Sequence, residues 1–169
     1  SGAPAVGVTY YPTTSASDVA GFGYFDTVPQ AGSESVFSIP LTNVDGYKVV
    51  GSSITLAGEP GADFLPKGTW TIDAFYSLVG LNPGKVVNLA FEVLKYNGST
   101  LTSLFTAFNV AAITTNAASA TPLETFTSYT ITTPIDLSIT DRIAVIAKAS
   151  TDDVSNLTFR FHYLGTEHY

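Results

Sequence analysis

From residue 35 to the end of the chain, short runs of β-branched and aromatic residues alternate with clusters of Gly, Pro, Asn, Asp and Ser. No stretch sustains the apolar period of a helix, so the pattern predicts an all-β domain of the sandwich or barrel kind. Eight strands are expected, over Ser35 to Leu41, Tyr47 to Leu56, Gly68 to Leu78, Lys85 to Tyr96, Thr100 to Phe108, Glu124 to Thr133, Arg142 to Ser150 and Asn156 to Tyr163. The small-residue segment 109–123 is long for a hairpin connection and reads as a crossover between sheets, which Greek-key and jelly-roll topologies require. The expected fold is therefore an antiparallel β-sandwich of jelly-roll type over residues 33–169. An extended arm or edge region over residues 1–32 precedes it, rich in Gly, Pro, Ser and Ala. Within the arm, "SASDVAG" spaces Ser15 and Asp18 like a weak capping box, but Gly21 and Gly23 stop a helix within about two turns.

Side chains alternate across a strand, which assigns faces. In "GTWTIDAFYSL" one face carries Trp70, Ile72, Ala74, Tyr76 and Leu78 and the other Thr69, Thr71, Asp73, Phe75 and Ser77. The first is the core face, and Trp70 belongs to it rather than to a sugar-stacking surface. In "LKYNGSTL" the pair Asn97-Gly98 predicts a two-residue type I′ turn, with Tyr96 facing Ser99 and Phe91 facing Leu104. Along the last strand Leu157, Phe159, Phe161 and Tyr163 line the core side, while Thr158, Arg160 and His162 point outward, His162 into solvent or an interface.

Composition narrows the partners. Charged residues are 12% of the chain, whereas Ser and Thr together number 39, so the surface is solvated by hydroxyls and backbone. The net charge of -7 repels phosphate backbones and anionic lipid, so neither nucleic acid nor membrane insertion is expected. The longest apolar runs, such as "IAVIA" at 143–147, are too short for a membrane span or a signal-peptide core. The absence of cysteine excludes disulfides, thiolate nucleophiles and cysteine-ligated zinc. Opening on Ser1-Gly2 and lacking methionine, the sequence reads as an excised or processed segment.

Catalytic motifs are missing: there is no G-x-S-x-G elbow, no H-E-x-x-H and no Gly-rich phosphate loop. Asp73 and Glu92, both mid-strand, are the pair a glycosidase would need, but solvated strand faces explain them better. Asp152-Asp153 in "STDDVSN" lacks the alternation of a calcium loop and reads as a turn. The two histidines, His162 and His168, stand at a spacing that converges on no shared ligand, so no metal and no cofactor is expected.

Four segments, taken in order, resemble a recurrent domain of tailed-bacteriophage and prophage structural proteins, of the kind found in tail fibres, baseplates and other appendages. They are "YYPTTSASDVAGFGYFDTVP", "GTWTIDAFYSL", "FEVLKYNGST" and "DRIAVIAKASTDDVSNLTFRFHYLGTEHY". The resemblance implies a non-enzymatic virion component assembled in the host cytoplasm, a homo-oligomer with the trimer favoured, partnered by other virion proteins. A carbohydrate- or host-receptor-binding module is the alternative, with Tyr10, Tyr11, Tyr24 and His162 as candidate contacts to a glycan or partner.

Overall fold

A computed structural model of the chain describes residues 7–30 and 34–163, apart from the side chains of residues 107–111. Twelve strands run through these residues: β1 (Tyr11–Ala16), β2 (Gly23–Asp26), β3 (Ser35–Leu41), β4 (Lys48–Ile54), β5 (Phe64–Leu65), β6 (Gly68–Val79), β7 (Val87–Tyr96), β8 (Leu101–Ile113), β9 (Leu123–Ile131), β10 (Ile135–Asp136), β11 (Arg142–Thr151) and β12 (Leu157–Tyr163). The eight expected strands are all present as β3, β4, β6, β7, β8, β9, β11 and β12. Periodicity did not reveal the other four, because β5 and β10 are two residues each and the apolar runs of β1 and β2 are broken.

The strands form a six-stranded sheet in the order β1-β2-β4-β11-β7-β8, a four-stranded sheet in the order β3-β12-β6-β9, and a two-stranded ribbon of β10 and β5. Counting the eight long strands from first to eighth, the smaller sheet runs first, eighth, third, sixth. The matching part of the larger sheet runs second, seventh, fourth, fifth. That interleaving of two antiparallel sheets is the double Greek key of a jelly roll. The pairing of β2 with β4 is parallel and spans only Gly23↔Ser53 and Tyr24↔Ile54.

Packing follows the face assignments. Tyr76, Leu78, Leu89, Phe91, Leu157 and Phe159 are buried in the main cluster between the sheets, with Ile72, Ala74 and Phe161 packed against it. Phe159 is fully buried; its ring stacks on Tyr76 at 6.0 Å and meets Phe161 edge-on at 4.9 Å. Trp70 is half-buried in a second cluster with Leu65, Val93 and Phe105, edge-on to Phe105 at 5.7 Å. Each such large side chain removed from water contributes about 1.5 to 3 kcal/mol.

The hairpin between β7 and β8 departs from expectation. Tyr96 pairs with Leu101, not Ser99, and Phe91 with Ala107, not Leu104. Asn97 causes the difference: its Oδ1 accepts the backbone N–H groups of Ser99 (3.0 Å) and Thr100 (2.8 Å), while its own N–H donates to the Thr100 carbonyl at 3.2 Å. The side chain thus stabilises a four-residue loop in place of the two-residue turn. Gly98 takes φ 98° within it. A register shift between Val93 and Leu94 then sets Val93 opposite Phe105, so apolar faces apolar.

The expected crossover is shorter than 109–123, because β8 runs on to Ile113. Segment 114–122 carries the chain from one sheet to the other. Asn116 pins it to the loop just after β6, accepting from the Leu81 N–H at 2.9 Å and donating to the Leu81 carbonyl at 3.0 Å.

Candidate functional site

Ser77 on β6 and His162 on β12 lie diagonally on neighbouring strands, since Ser77 pairs with Arg160 and His162 with Phe75. Both belong to the outer row of the four-stranded sheet. His162 Nε2 is 2.8 Å from Ser77 Oγ, and Nδ1 is 2.6 Å from Oε1 of Glu34, the residue just before β3. With Nδ1 protonated, the ring donates to Glu34 and accepts from the Ser77 hydroxyl, which is the order of a nucleophile, base and acid in acyl transfer. The order alone does not make a hydrolase. Ser77 is 0% exposed and the His162 side chain likewise 0%, so no carbonyl can approach the hydroxyl. The three groups bind the start of β3 and the last residues of β12 and β6 to one another.

The expectation of a solvated His162 is thereby corrected. The ring does sit on the outward row, but it is buried and hydrogen-bonded, because Glu34 and Ser77 satisfy both nitrogens. Glu34 is 128 positions away in sequence, so no local pattern could announce it. His168 lies outside the described residues.

The two carboxylates weighed for glycoside hydrolysis are kept apart. Glu92 points out of the larger sheet, where Lys148 Nζ meets its Oε2 at 3.0 Å. Asp73 points out of the smaller sheet and hydrogen-bonds with Glu124 of the adjoining strand. Asp73 is pushed up to about 6, first by desolvation and then by the hydrogen bond and charge of Glu124. The folded state holds this proton more tightly than the unfolded chain, so stability is highest below the unfolded pKa and is lost as pH rises through about 6. Asp73 is largely open to water, which limits the effect to about 1 kcal/mol. Asp73→Asn should therefore raise the unfolding midpoint at pH 7.5 and flatten its slope between pH 4 and 6.5, as thermal melts across that range will show.

The Asp152-Asp153 pair serves a turn, as its sequence suggests. Asp153 is fully buried and accepts from the Asn82 N–H (2.7 Å), Asn82 Nδ2 (3.0 Å) and the Ser155 N–H (2.9 Å). The backbone donors of Asn82 and Ser155, in that order, hold its carboxyl below the usual range.

Within the arm, β1 and β2 form a hairpin. At its tip the Ser17 N–H donates to the Phe22 carbonyl at 2.9 Å, and Ser17 Oγ donates to the Val19 carbonyl at 2.8 Å. Gly23 fits closely where the hairpin closes, since a Cβ there would sit 3.1 Å from the Thr13 carbonyl oxygen, which would have to give way by a few tenths of an ångström. Tyr24, a candidate contact residue, is engaged inside the hairpin: its hydroxyl donates to Asp18 Oδ1 at 3.1 Å. Asp18 in turn meets Arg142 on β11 through two contacts, Nη1 to Oδ2 at 3.0 Å and Nη2 to Oδ1 at 2.9 Å. The Arg142 hydrogen bond, followed by weaker contributions that include Tyr24, holds the Asp18 carboxyl below the usual range. Arg142 is buried, and its Nε donates to the Thr55 carbonyl at 2.8 Å.

Tyr10 and Tyr11 border a cavity of about 1070 Å³ between the arm and the first half of β6. Trp70, Phe25 and Phe37 are among its aromatic lining residues, and Thr13 and Ser52 among its polar ones. Tyr10 packs on Phe25 at 5.9 Å, and burial, then the nearby Glu59 charge, raises its hydroxyl above the usual range. The structure therefore brings Tyr10 and Tyr11 together at one groove, commits Tyr24 to the hairpin, and places His162 in the outer row of the smaller sheet. Sequence reasoning missed Glu34, Ser77 and Arg142.

No protein-family model matches the sequence, and no curated protein matches it. Among solved structures the chain is similar to that of infectious bursal disease virus Gt strain, at 11% identity and a TM-score of 0.30, over 92% of this chain and 43% of that one. It is also similar to the VP2 subviral particle of infectious bursal disease virus, at 12% identity and a TM-score of 0.22, with the same coverage. The chain spans less than half the length of these chains. The assignment as a jelly roll rests on the strand order.

Proposed function

We propose that this chain is a non-enzymatic structural module of a virus particle, of the tailed-bacteriophage kind, that assembles with copies of itself and with other virion proteins. The observation that carries the reading is the jelly-roll strand order with a hairpin arm latched onto its larger sheet, since capsid domains are among the proteins built this way. Supporting it, Ser77, the serine that His162 meets, is sealed in the smaller sheet, and the chain is poor in charge and rich in hydroxyls. Light scattering coupled to size exclusion tests it: the chain is expected to form a discrete oligomer, a trimer first among them, as concentration rises. A strictly monomeric species at high concentration would count against it.

Lectin domains share the jelly roll, and the groove beside Tyr10 and Tyr11 favours a second reading as a carbohydrate- or host-receptor-binding module. Its aromatic rings and hydroxyls suit a neutral sugar. Binding of a host polysaccharide that weakens at least tenfold in the Tyr10→Ala, Tyr11→Ala double variant would support it, and a flat titration would remove it.

A further inference from the structure

The tip of the arm hairpin covers an apolar patch on the outer face of the six-stranded sheet. Ile54, Leu94 and Ala144 form the floor of the patch, and Val19 and Phe22 pack onto it from the tip. At its rim stands Arg142, buried, held by the Thr55 carbonyl and gripping Asp18 with both nitrogens of its fork. The sandwich thus carries a socket, a fixed guanidinium over an apolar floor, and the arm carries the matching plug.

Three features make the plug separable. Its tip is braced by its own hydrogen bonds, Ser17 to Phe22 and Val19 and Tyr24 to Asp18, so its shape does not depend on the socket. Strand pairing between hairpin and sandwich is limited to the two register pairs of β2 with β4. Between Asp26 and Glu34, which His162 holds, the connection is seven residues, long enough to reach roughly 25 Å when extended. An emptied socket, by contrast, turns three apolar side chains to water, a state that re-seating a tip relieves. The occupant that fits it is already defined by the one seated there.

We propose that the hairpin tip is exchanged between subunits: Asp18, Val19 and Phe22 of one copy enter the Arg142 socket of a second copy of this chain. The inference rests on the assembly reading above and names the contact that would build the assembly. Exchange of an identical element keeps every native contact of the tip and adds subunit linkage at little further cost. If each copy gives its arm to the next, a closed ring results; if two copies trade, a two-fold dimer results.

The experiment uses the absence of native cysteine. Val19, Thr140 and Ala57 all border a cavity of about 390 Å³ at the seam between tip and socket. Single variants Val19→Cys and Thr140→Cys are mixed, refolded together and treated with a short bis-maleimide. Val19→Cys with Ala57→Cys serves as a second pair should the Thr140 variant misfold. Exchange yields a covalent dimer that joins the two different chains. The double variant Val19→Cys, Thr140→Cys provides the opposite readout: a mixture that stays unlinked while the double variant is linked within single chains overturns the proposal. Light scattering on the same mixture separates the two readings. An oligomer without inter-copy links removes arm exchange and leaves assembly standing, whereas a monomer removes both.

Discussion

Replacing His162 with alanine should lower the thermal unfolding midpoint by roughly 5 to 12 °C, equivalent to about 2 to 4 kcal/mol in a domain of this size. The cost has two parts. The ring is fully buried, so its removal leaves a void that the rigid strand backbones around it cannot close. It also leaves the Ser77 hydroxyl, 0% exposed, and Oε1 of Glu34 without the ring nitrogens at 2.8 and 2.6 Å. Ser77→Ala alone should cost about 1 kcal/mol, the ordinary value of one hydrogen bond. The double variant should be less destabilised than the sum of the singles, because the two residues share one contact. Calorimetry on the four proteins measures this. A shift below about 1 °C for His162→Ala would mean that the ring is no more than a surface group.

The face of β12 is legible in the sequence, whereas the environment of His162 is not. Period-two alternation reports which way a side chain leaves the strand. It carries no information on what stands beside that side chain. Glu34 and Ser77 reach His162 only because β3 and β6 flank β12, a neighbour relation set by the jelly-roll order. The same limit explains Arg142. It opens the run "RIAVIA" and reads as a strand-start cation, yet it is buried under a hairpin whose tip lies 124 positions earlier. Strand positions were legible because burial imposes a pattern on every second residue over many residues. The hairpin register was not, because a single Asn97 side chain decided between two loops of similar cost.

Low charge gives these few polar contacts unusual weight. With seven basic residues in the whole chain, three of them, Arg142, Lys148 and Lys95, carry ion pairs that join strands or loops distant in sequence. The Lys148–Glu92 pair lies across neighbouring strands on a half-open face and contributes little. Arg142 differs in being buried and in touching three separate segments: β11 that carries it, Thr55 after β4, and the arm.

Arg142→Met should therefore release the arm while leaving the sandwich folded. Methionine fills much of the volume but returns neither the Thr55 hydrogen bond nor the pairing with Asp18. That loss falls on a hairpin tied to the sheet by two register pairs, so it should appear as local opening before global unfolding. Limited proteolysis should cut the variant within residues 7–30 at least tenfold faster than the native chain, with the fragment from residue 34 onward surviving. Acid should mimic the substitution. The Asp18 carboxyl is held below its usual range chiefly by Arg142, so its contribution is present above the unfolded carboxylate pKa and lost as pH falls through the lower folded value. Native arm cleavage should thus accelerate at the acid end, with a protease active there, while Arg142→Met changes far less with pH. Equal cleavage of the two proteins at neutral pH would show that the apolar floor under Val19 and Phe22 holds the arm without the ion pair.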